Sequence, residues 1–214
     1  MGHKSWQIEA SLLIGMALSV FCAGFCNFTS EYRGITDTVF RLHILANSDS
    51  EEDQALKLKV RDAVLEETEY LFADKISAAE SAAAAEENLD IIRQIVQRTI
   101  RENGYDYSSD CEVTEIKFDS RVYDSLTMPA GEYSALRITI GSAEGKNWWC
   151  VMFPPLCIPA VTNIDEALEE YDGVFTAEEL EMLHNPENYE CRFYILELLK
   201  KAEEYLHKKS KSAS

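Results

Sequence analysis

An uncharged apolar segment near the amino terminus constrains this chain more than any other feature. Residues 10–26 carry no charged side chain, and Lys4 precedes them. A segment of that length is typical of a signal peptide or of a single membrane-spanning helix. We therefore predict that residues 1–30 are a signal peptide or membrane anchor, with residues 8–28 as the anchoring segment. The rest of the chain is expected to fold after export.

The charge balance excludes several classes of partner. The formal net charge is −18, and nucleic-acid binding requires the opposite sign because phosphates are neutralised by Lys and Arg. The same charge disfavours docking on anionic lipid, so contact with a membrane is expected only through the apolar segment. Lysines in residues 200–214 form the single cationic stretch, and we interpret it as a solvated end.

Export makes the cysteines informative, because disulfides form in oxidising compartments. Cys150 and Cys157 are seven residues apart with two adjacent prolines between them, which turn the chain. We predict a disulfide between them, although two buried free thiols would also fit. The pairing of Cys111 and Cys191 stays open. The spacing of Cys and His matches no zinc site, so we predict no metal and no cofactor.

Hydrophobic periodicity predicts a mixed α/β (α+β) fold. One mixed or antiparallel sheet of about four strands is expected to pack against two long helices, in the order β-α-α-β-β-β, followed by C-terminal helices. The predicted strands are 38–46, 112–123, 133–140 and 148–153, the long helices are 50–72 and 77–102, a loose hairpin turn is 141–147, and further helices are 164–171, 176–184 and 189–207. Residues 31–163 then form the α/β domain, and residues 164–214 form an acidic helical region with a basic tail.

A polar cluster follows the first predicted strand, in the sequence Ala46-Asn-Ser-Asp-Ser50. Ser50 is predicted to cap the next helix, and Asp53 can reach back to it as in a capping box. Three acidic residues in the first turn also complement the helix dipole. Helix initiation therefore explains Ser50 to Asp53 and leaves Asn47 to Asp49 without an assigned role.

Three further roles are open to Asn47, Ser48 and Asp49. A polar turn after a buried strand needs no special chemistry, since these side chains bind turn backbone locally. A secreted hydrolase of peptides or cell wall could use His43, Ser48 and Asp49, although no nucleophile-elbow motif is present. A recognition surface would present the same groups to a partner. A calcium loop is excluded by the absence of Gly and Glu at the required positions.

Two adjacent tryptophans, Trp148 and Trp149, lie on the last predicted strand. Adjacent side chains on a strand point to opposite faces of the sheet. One tryptophan is therefore expected to anchor the core, and the other could be an interface residue. This strand is apolar on both faces, so both faces must be covered.

The segments Phe40–Leu65 and Gly145–Cys157 resemble the stage II sporulation protein R family of endospore-forming bacteria. The resemblance implies a signalling protein rather than an enzyme, one that is made in the forespore and exported into the intermembrane space. There it would activate a membrane-embedded aspartic protease that cleaves a mother-cell sigma factor precursor. The resemblance provides no catalytic residue, and a purely structural adaptor remains an alternative. We expect a contact surface formed by His43, Asn47, Asp49, Ser50, Trp148 and Trp149.

Overall fold

The computed structural model divides the chain into two units, which are described separately. One unit contains Met1–Arg33 and Ala177–Ser214, and the other contains Gly34–Thr176. The described residues are 2–73, 75–123, 125–157, 168, 171, 173–189, 192–196, 198 and 201. The three-part division predicted from the sequence stays a prediction.

The apolar segment lies within one continuous helix, α1, at Gly2–Thr38. Residues Ile8–Thr38 are long and apolar enough to cross a membrane, and they fit a signal or anchor segment. In the same unit, the Phe28 ring is buried and packs edge-on against Phe193 at a centroid distance of 5.1 Å. The aromatic end of the apolar segment therefore has a packing partner within its own unit.

The second unit contains a four-stranded mixed sheet, one of the two sheet types that the sequence left open. Its strands are β1 Phe40–Leu45, β2 Ser109–Phe118, β5 Gly131–Ile140 and β6 Asn147–Phe153. They lie in the order β2-β5-β1-β6, with β1 parallel to β5 and antiparallel to β6, and with β2 antiparallel to β5. A separate two-stranded hairpin, β3 Arg121–Tyr123 with β4 Leu126–Met128, was not predicted.

The predicted hairpin between the last two strands is wrong. Strand β1 lies between β5 and β6 and pairs with both. The connection at residues 141–146, called here the crossing loop, therefore passes over the carboxyl end of β1. A physical reason is that β1 is almost entirely buried, and a buried strand must satisfy its backbone groups on both edges.

One break in the helical region refines the predicted pattern. Helix α2 at Glu51–Phe72 is confirmed, but the predicted helix 77–102 is divided into α3, Ala78–Glu87, and α4, Leu89–Glu102. Asn88 separates them, and its side-chain amide donates to the Ala84 carbonyl at 2.8 Å. The side chain thus satisfies a helix-terminal carbonyl where the helix ends.

The core lies between the sheet and these helices. Alternation along β1 directs Phe40, Leu42 and Ile44 toward the helices. They meet the apolar stripes of the helices, including Leu56, Val60 and Val64 from α2 and Ile92, Val96 and Ile100 from α4. The alternate residues of β1, Arg41 and His43, consequently project from the opposite face of the sheet.

The C-terminal region is described only in part. The predicted helix at 176–184 is confirmed as α5, Ala177–His184, and a short 3₁₀ helix follows at Pro186–Tyr189. The predicted helices 164–171 and 189–207 lie largely outside the described residues. Cys191 lies outside them as well, and so does the basic tail apart from Lys201.

Candidate functional site

The start of α2 confirms the predicted helix cap and changes one detail. The Ser50 side chain accepts a hydrogen bond from the Asp53 backbone N–H at 3.1 Å. The reciprocal bond of a capping box is absent here, because the Ser50 N–H donates to the Ser48 hydroxyl at 3.2 Å. The Asp53 carboxylate is therefore available to the turn that precedes the helix.

Asp53 of α2 binds side chains of residues 46–50, a segment called here the β1 turn. Its Oδ2 atom accepts hydrogen bonds from Asn47 Nδ2 at 2.8 Å and from Ser48 Oγ at 2.6 Å. Burial raises the pKa of this carboxyl, but hydrogen bonds from Ser48, Asn47 and Tyr107 outweigh it. The net pKa lies below its usual value, so Asp53 is ionised at neutral pH.

The β1 turn also holds the crossing loop in place. The Asn47 Oδ1 atom accepts from the Ser142 N–H at 3.0 Å, and the Asn47 carbonyl accepts from the Ser142 hydroxyl at 2.7 Å. The Asp49 carboxylate accepts from the Lys146 N–H at 2.6 Å. Lys57 of α2 donates to the Lys146 carbonyl at 2.9 Å. Two of the predicted contact residues, Asn47 and Asp49, thus have partners within the chain.

Two glycines permit this close approach of turn and loop. A Cβ atom on Gly145 would lie 2.2 Å from the Ser48 carbonyl oxygen, a distance that backbone atoms cannot relieve by rotation. Gly141 has a φ of +59, and a Cβ there would meet the Asn47 side chain. The loop therefore requires glycine at these positions for sterics and backbone conformation.

The structure does not assemble His43, Ser48 and Asp49 into a hydrolytic triad. The His43 Nε2 atom is paired with Asn147 Oδ1 at 3.0 Å, while Ser48 donates to Asp53 and Asp49 accepts from the crossing loop. Burial lowers the pKa of His43 to about 4, so the imidazole is neutral at pH 7. Among the described residues, no group of three or more His, Cys, Asp or Glu is arranged to hold a metal ion.

The adjacent tryptophans lie on opposite faces of β6, as alternation predicts. Trp148 packs at the edge of the helix-side core, with the Arg61 guanidinium 4.3 Å from its ring centroid. Trp149 lies on the other face, where its ring is stacked on His43 at 3.8 Å. Both indoles are half-buried, so each combines a packing role with accessible surface.

Arg41 is the residue that sequence reasoning missed. It is 0% exposed, and its guanidinium lies 4.0 Å from the Phe118 ring centroid and 5.0 Å from that of Tyr133. The Tyr123 hydroxyl accepts a hydrogen bond from Arg41 Nη2. A basic residue inside an otherwise apolar strand was the available signal. Arg41, His43, Phe118, Tyr133 and Trp149 together define the surface called here the aromatic face.

The end of β6 carries the disulfide that the cysteine spacing predicted. Cys150 is bonded to Cys157, with the two Cα atoms 5.2 Å apart. The Phe153–Pro154 peptide between them is cis. Cys111 is a free, buried thiol. Its pairing with Cys191 was left open by the sequence, and Cys191 lies outside the described part of the chain.

Fold and site together define a mixed α/β unit that follows an apolar helix of the signal or anchor type and carries a disulfide at a sheet edge. Residues 36–163 match the family model described as Stage II sporulation protein R. The chain belongs to this family, which supports a role in sporulation.

A curated relative agrees with the family match. The chain is 40% identical over 138 residues to the Stage II sporulation protein R of Bacillus subtilis (strain 168). The aligned region covers 64% of this chain and 62% of the relative, so it spans less than two thirds of that protein. No solved structure matches the chain.

Proposed function

We propose that this chain is an exported sporulation signal that activates a membrane-embedded aspartic protease by direct contact. The activated protease would then process the precursor of a mother-cell sigma factor. The observation that carries the proposal is the family match at residues 36–163, which includes nearly all of the α/β unit. The proposed location of the chain is the space between the forespore and mother-cell membranes.

Two properties of the chain support action by contact outside the cytoplasm. Helix α1 fits a signal or anchor segment, and the disulfide between Cys150 and Cys157 suits an oxidising compartment. The hydrogen bonds of the β1 turn are made within the chain, which favours a positioning role for these groups over bond-breaking chemistry. We therefore propose that the α/β unit recognises the protease through a preformed surface.

The proposed contact surface includes the six residues predicted from the sequence. Trp148 and Trp149 contribute half-buried aromatic area, a type of surface enriched at interaction hot spots. Asp49 and Ser50 are exposed at the start of α2. His43 and Asn47 are proposed to act by supporting these groups, since His43 is buried under Trp149 and Asn47 holds the crossing loop.

Co-expression in a heterologous cell tests the proposed function. The chain, the protease and the sigma factor precursor are produced together, and precursor cleavage is followed by immunoblot. We expect cleavage only when all three proteins are present. Cleavage without this chain, or cleavage by the purified chain alone, would refute activation by contact.

A matched control separates export from recognition. The double substitution Leu13→Arg with Ala17→Arg places two charges in the apolar segment and leaves the α/β unit unchanged. Each charge costs about 2.5–3.5 kcal/mol near the centre of a membrane-spanning helix, so export should fail. The expected result is a folded α/β unit without precursor cleavage.

A further inference from the structure

The aromatic face contains a buried positive charge without an acidic partner. The Arg41 side chain is fully buried. Its Nη2 atom donates a hydrogen bond to the Tyr123 hydroxyl, and its Nε atom donates to the Cys150 carbonyl at 3.5 Å. No carboxylate among the described residues forms an ion pair with it, and its Nη1 atom has no hydrogen-bond partner there. Buried arginines are ordinarily paired, because an uncompensated charge is expensive to remove from water.

Aromatic rings compensate this charge only partly. Phe118 and Tyr133 place their faces within 4.0 and 5.0 Å of the guanidinium carbon, which gives a favourable cation–π interaction. A ring face, however, accepts no strong hydrogen bond from the unpaired Nη1 group. The rings thus stabilise the guanidinium charge but leave its Nη1 group without a hydrogen-bond acceptor among the described residues.

A second unpartnered nitrogen lies on the same face. Arg41 and His43 are two residues apart on β1, so their side chains project from the same side of the sheet. The His43 ring is 5% exposed, and its Nδ1 atom also has no hydrogen-bond partner among the described residues. The two nitrogen atoms without a hydrogen-bond partner therefore lie on the same face of the sheet, among the rings of the aromatic face.

We propose that Arg41 is a recognition residue for a carboxylate supplied by a protein partner, with His43 beside it and Tyr123 as its present cover. The guanidinium forms paired hydrogen bonds with a carboxylate through its planar donors. Tyr123, whose hydroxyl accepts a hydrogen bond from Arg41, is half-buried and follows two exposed residues of β3, Arg121 and Val122. In the proposed docking event, the Tyr123 ring is the group that the carboxylate displaces. This inference rests on the proposed function, because it assigns a chemical group to the docking event.

The negative charge of the chain disfavours the phosphates of a membrane more than it disfavours a single protein carboxylate. The chain carries a net charge of −18, which repels an anionic lipid surface as a whole. A single acidic side chain or a carboxyl terminus on a protein can enter a small site without bringing an extended anionic surface. The occupant is accordingly an Asp, a Glu or a chain end of the partner.

An acetate titration tests the site without the protease. The full chain in detergent micelles is titrated with sodium acetate against sodium chloride of equal ionic strength, and arginine Nε–H resonances are recorded by NMR. We expect a saturable shift of the Arg41 signal, which is assigned by its loss in Arg41→Met. The Arg98 signal is the matched control, because Arg98 of α4 already pairs with Glu67 of α2 and lies away from this face of the sheet. Absence of a saturable Arg41 shift, or tighter binding of inorganic phosphate than of acetate, would overturn the proposal.

Substitution tests the same site in the activation assay. Arg41→Met keeps a long apolar side chain, so its melting temperature should equal or exceed that of the wild type, as is found when buried ions are replaced by apolar groups. Precursor cleavage should fall at least tenfold, whereas Arg98→Met, which removes an arginine of the helices, should keep wild-type cleavage. Wild-type cleavage by Arg41→Met, or a marked drop in its melting temperature, contradicts a recognition role. If wild-type chain itself gives no cleavage, the proposed function fails, and the acetate titration still decides the site.

Discussion

The β1 turn and the aromatic face both place polar groups beside strand β1, but they satisfy them in opposite ways. In the turn, Asn47, Ser48 and Asp49 each bond to a named partner in α2 or in the crossing loop. On the aromatic face, Arg41 and His43 each keep a buried nitrogen without a partner among the described residues. The difference teaches that Asn47 to Asp49, the polar motif most conspicuous in the sequence, hold parts of the fold together. Arg41, which is less conspicuous, keeps a hydrogen-bond donor without a partner among the described residues.

The largest expected effect comes from breaking the turn at its tightest contact. Gly145→Ala places a Cβ 2.2 Å from the Ser48 carbonyl oxygen, so the crossing loop must move and lose its bonds to the turn. We expect the free energy of unfolding to fall by about 3 kcal/mol or more, measured by urea unfolding with tryptophan fluorescence. Gly104→Ala is the matched control, since its Cβ would meet no atom within 4 Å and its positive φ should cost only about 1 kcal/mol. Equal losses in both variants would show that the loop contact is not required.

Removing the disulfide measures how much stability depends on the strand that supports the aromatic face. Carbonyl groups of β6 accept from Arg41 at Cys150 and from Tyr123 at Trp149. Replacing Cys150 and Cys157 by alanine should lower the free energy of unfolding by about 2–3 kcal/mol in the chain-entropy model. Reductant should lower the stability of the wild type by a similar amount and leave the double variant unchanged. A wild type that is insensitive to reductant under conditions where thiol titration shows the bond to be broken would contradict this expectation.

How far the sequence could predict these features depends on how local their causes are. The Ser50 cap and the Cys150–Cys157 pair follow from patterns within a few residues and were predicted. A sheet of about four strands was also predicted, but whether it is mixed or antiparallel was left open, because the parallel pairing of β1 with β5 joins residues as distant in the chain as Arg41 and Ala135. The hairpin between β5 and β6 was predicted wrongly, because a short polar connection looks the same whether its strands pair or enclose a third one. The surroundings of Arg41 involve Tyr123 and Cys150, which are 82 and 109 residues away, so no local pattern reveals them. The assignment of contact residues stays a prediction.

The aromatic face should lose stability at a higher pH than the β1 turn does. The pKa of His43 is lowered from 6.5 to about 4 by burial, so the unfolded chain binds a proton at this residue before the folded chain does. Stability from this group is complete above pH 6.5 and is lost as the pH falls toward 4. After allowance for solvent screening, we expect a loss of about 2–3 kcal/mol over this range. His43→Phe keeps a ring on Trp149 but cannot titrate, so its unfolding free energy should vary less between pH 6.5 and 4; an unchanged pH dependence would exclude His43 as the source.

The turn should respond only at lower pH, and with the smallest effect. The pKa of Asp53 lies below its usual value because donated hydrogen bonds outweigh burial, so its contribution is present above the unfolded pKa and lost as the pH falls through the folded one. Asp53→Asn keeps an oxygen that can accept from Asn47 and Ser48 but removes the charge. We expect a loss of about 1–2 kcal/mol at pH 7, the difference between charged and neutral hydrogen bonds. Urea unfolding of both proteins at several pH values should show this difference shrinking below pH 4. If the stability difference between the wild type and Asp53→Asn stays constant down to pH 2, Asp53 acts through its shape rather than its charge. The pH responses of the β1 turn and the aromatic face would then differ only because of His43.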